Sequence, residues 1–110
     1  MLNLRLYMLQ RLSALLMAPL VLGHLAVMIY AIRGGLSAAE ILGRTQGSVA
    51  WFAFYGIFVA AVSVHGAIGL RVVLHEWAGL RGAWLEAAMW VTGTALFILG
   101  ARAVWAVTFA

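Results

Sequence analysis

Residues Val62–Trp77 read VSVHGAIGLRVVLHEW, and this stretch decides how the rest of the chain is interpreted. His65 lies inside a run of Ala, Val, Ile, Leu and Gly, and Arg71 follows it before the polar sequence His75–Trp77. An imidazole surrounded by hydrocarbon is energetically costly, so it faces a neighbouring helix or binds a ligand. The charged and aromatic side chains that follow are typical of the edge of a membrane. The stretch therefore predicts a spanning helix with a buried histidine.

The composition also indicates a membrane protein. The chain has 110 residues, of which 66% are hydrophobic and 9% charged, and its mean hydropathy is +1.07. A soluble domain carries about 25% charged residues. The formal net charge of +4 comes from arginines scattered singly, which is typical of loops beside membrane spans and predicts no nucleic-acid partner. The absence of cysteine excludes thiolate catalysis and iron–sulfur ligation by this chain.

Three apolar segments are each close to the ~20 residues that a spanning helix needs. They cover about residues 12–32, 49–74 and 84–108. Ser37 and Glu40 have the spacing of a helix cap, which predicts a short interfacial helical turn at Ser37–Leu42. We therefore expect an all-α integral membrane protein, with a single domain over residues 1–110 and three transmembrane helices running up, down and up.

The arginines predict the orientation of these helices. One side of the membrane receives Arg5, Arg11, Arg71 and Arg81, and the other receives Arg33 and Arg44, with Arg102 near the end of the last helix. Positively charged loops favour the cytoplasm. The sequence thus predicts a cytoplasmic N-terminus.

Two intramembrane histidines, His24 and His65, are candidate axial ligands of haem iron. Neutral imidazole donates a nitrogen lone pair without adding charge. His24 is about 18 Å along its span from the cytoplasmic edge and His65 about 9–14 Å from the same edge, at the helical rise per residue. This mismatch predicts two haems, each completed by a histidine of a partner subunit. Hydrogen bonding of each imidazole to a neighbouring helix stays open as the alternative.

Polar residues near the cytoplasmic edge are further candidates. Arg11 and Arg71 are placed to grip haem propionates, which guanidinium groups bind bidentately; the alternative is an interfacial anchor that reaches the lipid headgroups. Ser13, Tyr7 and Gln10 cluster around Arg11 in the sequence and are candidates for hydrogen bonds to a quinone carbonyl.

Two segments carry a family resemblance. Gln10–Ala14 reads QRLSA and resembles a His-Arg-x-Ser-Gly-like motif. His65 is followed by Gly69-Leu70-Arg71 and then by Glu76-Trp77, which is similar to a haem-ligating His followed by x3-Gly-Ile-Arg, an acid and an aromatic residue. Both motifs belong to the cytochrome b anchor subunit of succinate dehydrogenase and fumarate reductase (respiratory complex II), and the resemblance covers almost the whole chain.

The resemblance implies a haem b-binding anchor in the bacterial cytoplasmic membrane, not catalytic alone. It implies a helix bundle with a second anchor subunit, association with an iron–sulfur and a flavoprotein subunit, and electron transfer to or from quinone. By matching position, His65 is implied as the axial ligand and Arg11 as a propionate or quinone-site residue, with Ser13 a lesser candidate. Gln10 departs from the family's histidine. His24 has no counterpart in single-haem members and is similar to first-span histidines of di-haem members.

Two alternatives stay open at this point. One is a haem-free structural anchor in which both histidines merely pack against other helices. The other is a small transporter-like helix bundle, although such transporters have four spans and a carboxylate in the first span. This chain has three predicted spans and no acidic residue before Glu40. The sequence does not predict the direction of turnover or the quinone, and the number of haems, one or two, depends on whether His24 is a ligand.

Overall fold

The computed structural model describes residues 3–110, and within this range the chain is helical and contains no strand. The helices are α1 (Leu4–Gly34), α2 (Ala38–Thr45), α3 (Val49–Ala78) and α4 (Gly82–Thr108). By length and composition α1, α3 and α4 are each able to cross a membrane. The predicted all-α fold with three transmembrane helices is confirmed. Residues 1 and 2 of the domain predicted over 1–110 lie outside the described residues.

Side-chain caps set where the helices begin. Asn3 accepts a hydrogen bond from the Leu6 amide at 2.9 Å, so α1 begins at Leu4, earlier than the apolar run itself. Ser37 accepts from the Glu40 amide at 3.1 Å, as predicted, and the interfacial helix that it caps continues to Thr45. Each cap satisfies an amide that would otherwise lack a partner in the first helical turn.

Helix α3 is the central element, with α1 packed on one side and α4 on the other. Small residues bring α3 and α4 close together. A Cβ added at Gly100 would lie 2.5 Å from Val59, and one added at Gly93 would lie 3.1 Å from Ala67. Higher residue numbers on α4 contact lower ones on α3, so the two helices are antiparallel. Such close backbone approach is the usual way in which helices associate in lipid.

The interfacial helix α2 is attached to the end of α4. The Thr45 hydroxyl, in a residue that is 2% exposed, donates to the carbonyl oxygen of Val107 at 2.6 Å. The Gly47 amide donates to the carbonyl oxygen of Thr108, also at 2.6 Å. These bonds satisfy carbonyls that have no partner within α4. They also place α2 and the C-terminal end of α4 at the same end of the bundle.

Most of the large apolar side chains on the three long helices are exposed. Leu22 is 67% exposed, Leu99 64% and Trp90 67%. An exposed apolar surface of this extent is unfavourable in water, whereas lipid tails or another apolar helix cover it without cost. The chain thus has the surface of a membrane protein on all sides.

Candidate functional site

His65 lies on α3 at the interface with α1, where it contacts Ser13. The Ser13 oxygen is 3.3 Å from Nδ1 of His65 and 3.0 Å from the carbonyl oxygen of Gln10. A hydroxyl group has one proton to donate. We assign that proton to the shorter bond, to Gln10, so that Ser13 accepts a hydrogen bond from Nδ1–H of His65.

This assignment fixes the chemistry of the other ring nitrogen. A neutral imidazole that carries its proton on Nδ1 has a free lone pair on Nε2. Within residues 3–110, Nε2 of His65 has no hydrogen-bond partner. This arrangement leaves one ring nitrogen free to bind a metal ion, and it is also the hydrogen bond to a neighbouring helix that the sequence left open as the alternative.

Gln10 is a further polar residue at this interface, and its carbonyl oxygen accepts the hydrogen bond from Ser13. Its side-chain amide nitrogen lies 3.5 Å from the position where a Cβ on Gly69 would be, so Gly69 makes room for it. The Gln10 Oε1 atom is buried and has no hydrogen-bond partner in the described part of the chain. An unpaired buried acceptor is costly and marks a place where a hydrogen-bond donor is missing.

Arg71 lies on α3 beyond His65 and forms an ion pair with Glu86 near the start of α4. The Arg71 side chain is 13% exposed and that of Glu86 is 49% exposed. The Nε atom of Arg71 is buried without a partner, so one of its donors stays available. The sequence motifs do not indicate Glu86, although the short connection between α3 and α4 brings it close to Arg71.

Tyr7 and Arg11 are two further polar residues of α1. Both side chains are exposed, and the Arg11 guanidinium lies over the Tyr7 ring at 5.5 Å from its centroid. Of the residues predicted near the cytoplasmic edge, Ser13 contacts His65 and Gln10 contacts Ser13, while Tyr7 and Arg11 are exposed. Their predicted roles are left as predictions.

His24 lies farther along the same interface between α1 and α3. Its ring centroid is 5.2 Å from that of Phe58 and 6.3 Å from that of Tyr55. Among residues 3–110 neither ring nitrogen of His24 has a hydrogen-bond partner, and its ring contacts are with these aromatic side chains. Ser13 marks the level of His65 on α1, and His24 is about 16 Å beyond Ser13 at the helical rise. The two histidines are too far apart to bind one iron.

Side chains of neighbouring helices occupy the space beside the glycines next to the two histidines. A Cβ on Gly23 would lie 3.2 Å from the Phe54 ring, and one on Gly66 would lie 3.2 Å from Leu96. They therefore serve helix packing. Among the described residues no three His, Cys, Asp or Glu side chains cluster as a metal site.

The chain matches a known family of membrane proteins. The profile of the family described as "Succinate dehydrogenase/Fumarate reductase transmembrane subunit" matches residues 2–101. Neither the curated proteins nor the solved structures give a significant match. A transmembrane subunit of this kind associates with other subunits in a membrane complex. The chain belongs to the family of succinate dehydrogenase/fumarate reductase transmembrane subunits.

Proposed function

We propose that the chain is a haem b-binding membrane anchor that conducts electrons between the iron–sulfur subunit of its complex and a membrane quinone. The observation that carries this proposal is the 3.3 Å contact between Nδ1 of His65 and the Ser13 hydroxyl. With the proton assigned to Nδ1, the Nε2 lone pair is free. A bound haem supplies one-electron redox chemistry. In this proposal His65 holds the iron and Ser13 fixes the tautomer and the orientation of the ring.

A partner anchor subunit supplies the second axial ligand. Haem iron in a b-type cytochrome takes two axial ligands, and this chain offers one histidine at the level of Ser13. The exposed apolar faces of α1, α3 and α4 give a partner room to pack against the bundle. The haem would thus be shared between two anchor subunits, and a flavoprotein subunit would complete the complex.

His24 is proposed as the ligand of a second haem. Its two unpaired nitrogens and its separation of about 16 Å from the level of His65 support a separate site. The aromatic side chains of Tyr55 and Phe58 line this position.

The polar residues at the edge of α1 and α3 complete the proposal. Arg71 retains a free Nε donor for a haem propionate, and Glu86 competes for its guanidinium. Arg11, which is exposed on α1, contacts a propionate only where the partner subunit packs against that face. Ser13 contacts His65 and Gln10 contacts Ser13, so these two are the better placed quinone candidates, and the exposed Tyr7 is the more distant one.

Haem stoichiometry tests these assignments together. The complex is purified with wild-type chain, His65→Ala and His24→Ala, and haem b is quantified per complex by its pyridine haemochrome. We expect two haems in the wild type and one in each variant, because each histidine serves a separate iron. A His65→Ala complex with the full haem content would remove His65 as a ligand. Loss of the same haem in both variants would contradict the two-site arrangement.

The bacterial cytoplasmic membrane and a cytoplasmic N-terminus are also proposed. The four arginines at residues 5, 11, 71 and 81 lie at the end of the bundle that contains the start of α1 and the end of α3. Because the chain has no cysteine, single cysteines at Asn3 and Ala110 report topology cleanly. A membrane-impermeant maleimide added to intact spheroplasts should label the cysteine at Ala110 and leave that at Asn3 unlabelled. Labelling at position 3 and not at position 110 would contradict the cytoplasmic N-terminus.

A further inference from the structure

An apolar groove opens between α3 and α4 on the face away from His65, with the first turns of α1 at one end. Its volume is about 640 Å³. The floor is formed by small residues of α3, including Ala60 and Ala67, and one wall by Trp90 and Phe97 of α4. This groove is separate from the His65 site, since its lining does not include His65, Ser13 or Gln10.

The length of the groove is close to half the thickness of a membrane. Along α4 it runs from Glu86 to Phe97, about 16 Å at the helical rise. Phe97 and Ala60 lie near the middle of α4 and α3, whereas Glu86 and Arg5 lie near their helix ends. A bilayer has a hydrocarbon core of about 30 Å. The groove therefore matches one leaflet, with a polar mouth at the surface and an apolar end at the midplane.

The charged residues at the polar end of the groove indicate which kind of molecule binds there. Glu86 lines the groove, but its carboxylate is paired with Arg71. Arg5 also lines it and has no ion-pair partner among residues 3–110. The mouth thus carries one uncompensated positive charge, which attracts an anion. Basic sites between transmembrane helices hold anionic lipid headgroups.

We propose that this groove binds one anionic phospholipid, with its phosphate on Arg5 and an acyl chain between α3 and α4. A spanning helix of a partner would contact the bundle over about 20 residues, whereas this groove ends near the midplane. A quinone has a neutral headgroup, so Arg5 offers it a hydrogen bond but no pairing of opposite charges. The inference rests on the membrane placement of the chain and is independent of haem binding.

Competition between two lipids tests the proposal on the purified complex. The complex is equilibrated in detergent micelles with equal amounts of phosphatidylglycerol and phosphatidylcholine of the same acyl chains, repurified, and its bound lipid is quantified by mass spectrometry. The wild type should retain phosphatidylglycerol preferentially. Arg5→Gln should lower that preference about fivefold, the factor contributed by one cationic side chain at an anionic surface. Arg33→Gln, the same change at an exposed arginine far from the groove, should leave it unchanged.

A second pair of variants tests the acyl-chain site. Thr94→Trp fills the groove and should reduce retention of both lipids, whereas Val91→Trp, on an exposed part of α4 outside the groove, should not. The haem content of all four variants should equal that of the wild type. Equal retention of the two lipids by the wild type, or unchanged retention in Thr94→Trp, would overturn the proposal. So would a copurified quinone that Thr94→Trp releases in place of lipid.

Discussion

Replacing Ser13 with Ala removes the acceptor that holds Nδ1–H of His65 and is the sharpest test of the local geometry. Loss of a hydrogen-bonding neighbour of a ligating histidine lowers metal affinity by about 10–100-fold. The Ser13–His65 distance of 3.3 Å is longer than an ordinary hydrogen bond. We therefore expect the lower end of that range, a loss of about tenfold in haem affinity, which corresponds to about 1.4 kcal/mol.

The effect on helix packing should be smaller than the effect on haem. Interhelical hydrogen bonds in a membrane protein average about 0.6 kcal/mol. Ser63→Ala is the matched control, because Ser63 is 5% exposed and Ser13 is 7% exposed, and the Ser63 hydroxyl donates to a carbonyl of its own helix.

Haem retention is compared between Ser13→Ala and Ser63→Ala. The assay follows loss of the b-type α-band while an excess of apomyoglobin competes for haem with each complex. Ser13→Ala should lose haem at a lower apomyoglobin concentration than Ser63→Ala, and Ser13→Thr, which keeps a hydroxyl, should recover most of the difference. Identical haem retention in the two alanine variants would refute the role given to Ser13.

The remaining predictions concern the bundle. Gly100→Ala places a methyl group 2.5 Å from Val59, so thermal unfolding of the purified complex should show a loss of stability of about 1–3 kcal/mol. Gly56→Ala is the control and should not destabilise the complex, because no atom of this chain lies within 4 Å of the added carbon. Equal losses in the two variants would contradict the packing of α3 on α4. Glu86→Gln breaks the ion pair with Arg71, and because the Glu86 side chain is 49% exposed the loss should stay below about 1 kcal/mol in the same assay. A larger loss would indicate that a partner subunit buries the pair.

Local sequence signals predicted the helices well. Long apolar runs and the Ser37–Glu40 spacing indicated the three spans and the interfacial helix, because chain length and capping are properties of short segments. The start of α1 was placed too late, since its first turns contain Arg5 and lie outside the apolar run, yet Asn3 caps them.

The arrangement of the site was harder to predict. A soluble amphipathic helix shows which face is buried, but a membrane helix is apolar on all sides, so its sequence does not fix its rotation. Tyr7 and Arg11 are neighbours of Ser13 in the sequence, but their side chains are exposed, whereas Ser13 is buried at its contact with His65. The pairing of Arg71 with Glu86 was missed because the register between two helices depends on their packing and not on either sequence alone.

The most direct test of haem ligation by His65 is chemical rescue. The dithionite-reduced minus oxidised spectrum is recorded for the purified complex with His65→Gly, before and after addition of imidazole. The account predicts that one b-type α-band is lost in the variant and returns with imidazole, because the free base replaces the missing ring at the iron. An undiminished α-band in His65→Gly without imidazole would contradict the central claim.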